Sequence, residues 1–371
     1  MAKLKIISVV GARPNFMKIA PICEAFKQYP EVDHKLLHTG QHYDEKMSDL
    51  FFNHLGLPHP DYYLGIGSGG HGEQTGKVMV EFEKVLQTEK PNIVLVVGDV
   101  NSTIACALDA AKLGIKVIHV ESGLRSHDRA MPEEINRILT DQISDYLFTT
   151  EESARANLLR EGIDESKIFF VGNVMIDSLL KHREKAKHQT VLDELELKSS
   201  EYCLVTLHRP SNVDDEIQLR ALVQTLCELS SEITVVFPVH PRTKAKLIEV
   251  GLQSLIEDHG IKVTDPMGYL EFMALMDNSK FVVTDSGGIQ EETTVLEVPC
   301  ITTRENTERP ITCDIGTNTL VGSDMNLLLE KARDVISGKA QPSAIPPLWD
   351  GKSAQRIVDI ICKNEVSEQV T

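Results

Sequence analysis

The chain has 371 residues, 42% hydrophobic and 25% charged, which is length enough for two domains with their own cores and ordinary for a globular protein. Its 38 basic and 55 acidic residues leave a formal charge of -17, which excludes broad electrostatic attraction to nucleic acid or anionic lipid, so an anionic ligand needs a local cationic pocket. Seven cysteines, odd in number and never in a Cys-x-x-Cys pair, exclude a disulfide framework and a thiolate zinc site.

In chain order, apolar runs of strand length lie at 5–10, 35–38, 93–97, 117–120, 146–148 and 168–171, then at 202–207, 233–237, 261–263, 281–283 and 300–302. Helical spacing fills 17–29, 76–87, 102–112 and 134–144 between them. Such alternation predicts an α/β protein whose parallel sheets are covered by helices on both faces. The polar stretch 177–200 separates the runs into two groups. The expected domains are therefore a Rossmann-like unit over 1–176, a second over 177–352, and a C-terminal helix over 353–371 that returns to the first domain. Two doubly wound sheets of this kind are expected to face a central cleft, with ligands outside the carboxyl ends of the strands. The N-terminal apolar run stops at a turn, without a signal-peptide pattern, and no segment is long enough to span a bilayer, so the expectation is a cytosolic protein.

The first run ends in Gly11-Ala12-Arg13-Pro14, where Pro14 suits the first turn of a helix running through Lys18. Free amides and two cations meet there, as an anion site or as an ordinary turn. The run 93–97 leads into Gly98-Asp99, and Asp99 is placed either to act as a base or to cap the following helix. The next run delivers Glu121, and Glu133 and Glu134 stand at a helix start, where either complements the helix dipole. Three carboxylates at the ends of neighbouring elements can raise one another's pKa and supply both a base and an acid.

In the second half, His208-Arg209 and His240-Pro241-Arg242 each place a histidine and an arginine at a predicted carboxyl edge, a pattern suited to phosphate charge. The run 281–284 passes through Asp285-Ser286-Gly287-Gly288 into a helix carrying Glu291 and Glu292. Amides of such a turn can face a diphosphate, and a glutamate one turn later can accept ribose hydroxyls; the alternative is a tight connection whose glycines serve packing alone.

Other patterns fail. The 71–78 segment lacks the first glycine of a Walker A loop and has Val78 where Ser or Thr is required. The glycine-rich 65–70 segment follows no clear strand and opens no clear helix, so it reads as a mobile loop rather than a dinucleotide fingerprint. His38 and His42 lie at a strand end without the glutamate of a zinc protease, and no Gly-x-Ser-x-Gly elbow is present.

Together, Gly11-Ala12-Arg13-Pro14, Thr39-Gly40-Gln41-His42, Gly98-Asp99, the 119–125 segment His-Val-Glu-Ser-Gly-Leu-Arg, Pro132-Glu133-Glu134-Ile135-Asn136-Arg137, the 285–292 turn and Thr307-Glu308-Arg309-Pro310 closely resemble the non-hydrolysing UDP-N-acetylglucosamine 2-epimerases, from about residue 11 to 309. The resemblance implies the two-domain glycosyltransferase-B architecture with UDP in the second domain. It implies reversible inversion at C2 of UDP-GlcNAc to UDP-N-acetylmannosamine for surface polysaccharide, in a homodimer with neither metal nor other cofactor. The implied route is anti elimination of UDP through a bound 2-acetamidoglucal.

By match to that family, Asp99, Glu121 and Glu133 form the acid/base set, and His208 and Arg13 stabilise the departing diphosphate. Lys18, Arg209 and the amides of Ser286, Gly287 and Gly288 assist, and Glu292 holds the ribose; Arg137, His240 and Arg309 complete the expected substrate-binding set. Ser122 stands where many members have alanine, and Asn15-Phe16-Met17 varies the residues before Lys18. Gln41 and His42 are kept from the segment that holds a second, activating UDP-GlcNAc in some bacterial members, whereas the 62–75 loop differs from their arginine-containing segment. This loop is also similar to relatives acting on UDP-2,3-diacetamido-2,3-dideoxyglucuronate, and a hydrolysing 2-epimerase or a UDP-sugar glycosyltransferase would share the fold.

Overall fold

The computed structural model describes residues 3–40, 59–339 and 342–368. The chain divides into two compact units, Met1–Ser178 with Pro347–Thr371, and Leu179–Pro346. In the first unit the strands are β1 (Leu4–Val10), β2 (Val32–His38), β3 (Tyr62–Tyr63), β4 (Ile93–Val97), β5 (Lys116–Ser122), β6 (Tyr146–Thr149) and β7 (Ile168–Phe170). They form one parallel sheet in the order β3-β2-β1-β4-β5-β6-β7. The second unit has β8 (Tyr202–Thr206), β9 (Thr234–Pro238), β10 (Lys262–Thr264), β11 (Phe281–Thr284), β12 (Cys300–Thr302) and β13 (Asn318–Leu320). Its sheet, also parallel, runs β10-β9-β8-β11-β12-β13.

The apolar runs become strands because each is covered on both faces. Ile-Val-Leu-Val-Val of β4 is buried at every position, against the helices Asn101–Lys112 and His71–Glu89 on one side. In the second unit, Val205, Val235, Phe237 and Val283 pack against the helix Glu216–Ser230. The helix Ser353–Glu368 belongs to the first unit, where Asp177 accepts the backbone N–H groups of Ser353 (3.1 Å) and Ala354 (2.7 Å) at its start. Burial pushes the Asp177 carboxyl up to about 6, against the pull of those amides.

The two sheets are those the alternation predicts, with two short edge strands added, β3 and β13. The glycine-rich segment corrects the reading of 65–70: it follows β3 and opens the helix His71–Glu89, whose N-cap is Gly70. All seven cysteines are free thiols, and six are buried. Among the described residues no helix is long and apolar enough to cross a membrane.

Each sheet reverses strand order once, between β1 and β4 and between β8 and β11. Beyond the carboxyl ends of strands at such a reversal the flanking loops diverge and leave room for a ligand. The residues singled out from the sequence cluster at these ends.

Candidate functional site

In the first unit, β1 passes through Ala12 into the helix Arg13–Phe26 with Pro14 in its first turn. Asn15 accepts the Ala12 N–H (3.0 Å) and donates to the Val97 carbonyl (3.0 Å), tying this helix start to the end of β4. Gly98 follows with φ +66°, a left-handed conformation that suits glycine, and a Cβ there would lie 3.2 Å from the Lys18 ammonium and the Asn15 amide. The helix Asn101–Lys112 is capped by Val100 without a side-chain bond, so capping is not what Asp99 does. Its carboxylate instead meets Arg137 Nη2 at 2.5 Å, and its carbonyl accepts from Asn136 (2.9 Å).

Glu121 sits at a β-bulge: pairing of β5 with β6 shifts register between Val120 and Ser122, and Glu121 itself has φ +70°. A non-glycine residue in this conformation is strained by roughly 1–2 kcal/mol, and a bulge re-aims its side chain. The carboxylate so turned, 3% exposed, pairs with the buried Lys18 ammonium. His119, two residues earlier, is fully buried between Asp141 (Nδ1 to Oδ1, 2.6 Å) and the Gly98 carbonyl (Nε2 to O, 2.8 Å), joining the helix Pro132–Ile143 to the turn that carries Asp99.

The two glutamates at the start of that helix differ. Glu134 is buried, accepts the Ser126 and His127 N–H groups (3.0 and 2.9 Å), and pairs with Arg137 at 2.8 Å. Glu133 is half-buried and holds no hydrogen bond or ion pair among the described residues.

In the second unit, the centre is Asp285, just past β11 and fully buried. Its Oδ2 accepts from the backbone N–H groups of His208 (3.0 Å) and Arg209 (2.8 Å) and from Asn212 Nδ2 (3.1 Å), and its Oδ1 faces His208 Nδ1 at 3.0 Å. Burial acts to raise the Asp285 carboxyl, but His208, the Arg209 amide and Asn212 outweigh it and hold it below the usual carboxylate range. His240 caps the helix Pro241–Glu249, its Nδ1 accepting from the Arg242 N–H (3.3 Å), and its ring centroid lies 6.1 Å from that of His208.

Ser286 is the N-cap of the helix Gly287–Leu296 and uses no side-chain cap bond. The N-terminal amides of this helix, with Gly288 in its first turn, are therefore left for another acceptor. Gly287 is a packing requirement too, since a Cβ would meet Glu308 Oε1 at 2.9 Å and Arg309 Nη1 at 3.1 Å. Arg309 pairs with Glu291 (2.7 Å) and Glu308 (2.6 Å), and Glu308 also holds Arg304 (2.8 Å). Glu291 is thus engaged beneath the turn, while Glu292 accepts from the Tyr269 hydroxyl at 2.9 Å. Burial, with Glu291 adding to it, pushes the Glu292 carboxyl up to about 7 despite that hydroxyl.

The family model described as UDP-N-acetylglucosamine 2-epimerase matches residues 24–362. The chain is 46% identical to a Methanocaldococcus jannaschii protein named UDP-N-acetylglucosamine 2-epimerase, over 96% of this chain and 99% of that one. The chain belongs to the UDP-N-acetylglucosamine 2-epimerase family. A crystal structure of the M. jannaschii enzyme in complex with UDP-GlcNAc and UDP is similar across 97% of this chain and 99% of that one, with a TM-score of 0.88 at 46% identity. A Pseudomonas aeruginosa UDP-2,3-diacetamido-2,3-dideoxy-D-glucuronate 2-epimerase is 41% identical, over 97% of this chain and 100% of that one. The family is one of isomerases, and its members carry the two-sheet α/β fold seen here.

Within this family fold, the first unit forms two ion-pair sets, buried Lys18 with Glu121 and buried Arg137 with Asp99 and Glu134, with Glu133 at the start of the Arg137 helix. The second brings together His208, Arg209 and His240, and separately the Ser286–Gly288 turn with Glu292 and Arg309. Three of the expected substrate-binding cations meet carboxylates of their own unit: Lys18 with Glu121, Arg137 with Asp99, Arg309 with Glu291. Gln41, His42 and the Arg13 side chain lie outside the described residues. Sequence reasoning missed Asp141, Asn212 and Tyr269 and the parts played by His119 and Asp285; His119 carried a signal as the first residue of the 119–125 segment and Asp285 as the polar residue opening a small-residue turn.

Proposed function

We propose that the protein is a UDP-N-acetylglucosamine 2-epimerase that interconverts UDP-GlcNAc and UDP-N-acetylmannosamine by elimination and re-addition of UDP. The observation that carries the reading is the pair of carboxylates at the carboxyl ends of neighbouring strands, Asp99 just past β4 and Glu121 at the bulge of β5, with Glu121 held in a strained left-handed conformation against Lys18. Strain of this kind persists where the surrounding structure over-determines it, as functional sites do. In the forward step a carboxylate takes the C2 proton, the C–H electron pair becomes the C1=C2 bond, and the C1–O bond breaks to release UDP. Re-addition of UDP with protonation on the opposite face gives the epimer.

Asp99, Glu121 and Glu133 share the two proton transfers. In the second unit the Ser286 N–H is spent on the Thr284 hydroxyl (3.0 Å), so the amides of Gly287 and Gly288 hold the diphosphate with Arg209 and His240, His208 stabilises its developing charge, and Glu292 accepts the ribose hydroxyls. A C2 proton is weakly acidic, so a base held close and partly desolvated carries the larger burden of catalysis.

The test is proton NMR of the protein with UDP-GlcNAc alone in deuterated water. UDP-N-acetylmannosamine carrying deuterium at C2 is the expected product; free sugar with UDP would assign a hydrolysing 2-epimerase instead. The P. aeruginosa relative supports a second reading, epimerisation of UDP-2,3-diacetamido-2,3-dideoxyglucuronate, and the same experiment with that sugar nucleotide decides between them.

A further inference from the structure

We infer that Asp285 is a positioning residue for His208, fixing its imidazole in the tautomer whose hydrogen is on Nδ1, so that Nε2 is the atom that gains and loses the proton facing the diphosphate. The inference deepens the epimerase reading and rests on it for the diphosphate alone. Its basis is the distribution of donors around one carboxylate. Three backbone and amide donors converge on Oδ2, while Oδ1 lies 3.0 Å from His208 Nδ1 and takes only the longer, shared arm of the His208 backbone N–H (3.2 Å). An ionised carboxylate only accepts, so Nδ1 must carry a hydrogen to meet it. Free histidine prefers the other neutral tautomer, and here the buried acceptor reverses that preference.

The remaining ring atom is placed for use. His208 is 43% exposed although its Nδ1 edge is anchored, and Nε2 has no hydrogen-bond partner among the described residues. The other titratable and charged groups around the ring are Arg209 beside it in the chain, His240 at the end of β9, and the Arg242–Asp214 pair flanking the His240 turn. When protonated, Nε2–H donates to a diphosphate oxygen as the C1–O bond breaks; in the reverse step it takes that hydrogen bond back. When neutral, the same atom presents a lone pair and disfavours the anion.

Asp285→Asn is close to isosteric and its outcome can be worked from the contacts. The side-chain oxygen takes the Oδ2 position and keeps its three donors, and the new NH2 takes the Oδ1 position and donates to His208 Nδ1. The neutral ring then carries its hydrogen on Nε2, so the variant loses the cationic donor but keeps a neutral one. We expect kcat near neutral pH to fall about 10–100-fold with KM changed less, and the alkaline limb of the pH profile to flatten.

The decisive measurement uses ring-15N histidine and NMR of the protein without substrate, with the His208 signals assigned by their loss in His208→Gln. At alkaline pH, wild-type His208 should show a protonated Nδ1 and a bare Nε2, and Asp285→Asn the reverse. A wild-type ring protonated on Nε2 overturns the inference, even where the variant fails to fold. So does an Asp285→Asn enzyme with an unchanged pH profile. Because the spectra need no sugar nucleotide, failure to epimerise UDP-GlcNAc would refute the functional reading while leaving the tautomer result standing.

Discussion

Lys18→Met tests the Lys18–Glu121 ion pair of the first unit. The Lys18 and Glu121 side chains are 8% and 3% exposed, so the pair lies in a region where water does little to compensate a lost partner. Removing one member of a buried pair costs about 3–5 kcal/mol because it leaves a buried charge unpaired, whereas an exposed pair is worth about 0–1 kcal/mol. Methionine conserves most of the stem volume, so packing adds little. Glu121 can recover part of the loss by relaxing from its left-handed conformation, which stores roughly 1–2 kcal/mol, and the expected net destabilisation is about 3 kcal/mol. The chain has a single tryptophan, Trp349, buried in the first unit with its indole donating to the Thr150 carbonyl at 2.9 Å, so urea unfolding followed by its fluorescence reports this unit alone. The double variant with Glu121→Gln should recover much of the loss in a mutant cycle. A Lys18→Met midpoint shift worth less than about 1 kcal/mol, with no coupling to Glu121→Gln, would refute the view of this pair as a desolvated unit.

Asp99→Asn should lower turnover about 1000-fold while UDP affinity by calorimetry stays within about threefold; turnover near wild type would remove Asp99 from the acid/base set. Gly123→Ala places a Cβ 2.5 Å from the Ala154 carbonyl at φ +79°, so a loss above about 3 kcal/mol in the Trp349 transition is expected, and a loss under about 1 kcal/mol would contradict the contact. Glu292, raised from 4.5 to about 7, binds its proton more tightly folded than unfolded. The second unit should therefore lose stability as pH rises from about 4.5 to 7 and level off beyond, by up to about 3 kcal/mol, and Glu292→Gln should flatten that slope. Hydrogen exchange of the β8 core amides, corrected for intrinsic rate, reads it; a slope unaffected by Glu292→Gln would count against the assignment.

The strands were legible because a buried parallel strand needs no partner to announce itself: Ile93–Val97 is apolar at every position and covered on both faces. β3 and β13 were not, since Tyr62-Tyr63 and Asn318-Thr319-Leu320 are short, partly polar edge segments held by one neighbour each. The same contrast separates the site residues. Asp99 and His208 could be found as polar residues ending apolar runs. Whether Asp99 caps a helix or meets Arg137, 38 positions on, depends on a partner that local spacing does not name. Asp285 gathers donors from 73 to 77 positions earlier because β8 and β11 are neighbours in the sheet, and Glu121 owes its direction to a register shift with β6. Both are facts of pairing rather than of composition.

The two units use one topology for opposite charge arrangements. In each, the first strand of the unit lies beside the strand that begins the opposite arm of the sheet, β1 beside β4 and β8 beside β11, so the turns after those strands meet. In the first unit the turn after β4 presents Asp99 and the bulge of neighbouring β5 presents Glu121, and buried cations hold them: Arg137 against Asp99, Lys18 against Glu121. In the second they present an imidazole and backbone amides, and a buried anion holds them: Asp285 under His208, Arg209 and Asn212. A functional group of one sign stays fixed in a dry turn only when a buried partner of the other sign, itself hydrogen-bonded, offsets its desolvation. By this logic Asp285 is to the second unit what Lys18 and Arg137 are to the first. Removing any of the three should therefore disturb the chemistry of the group it holds as well as the stability of its unit.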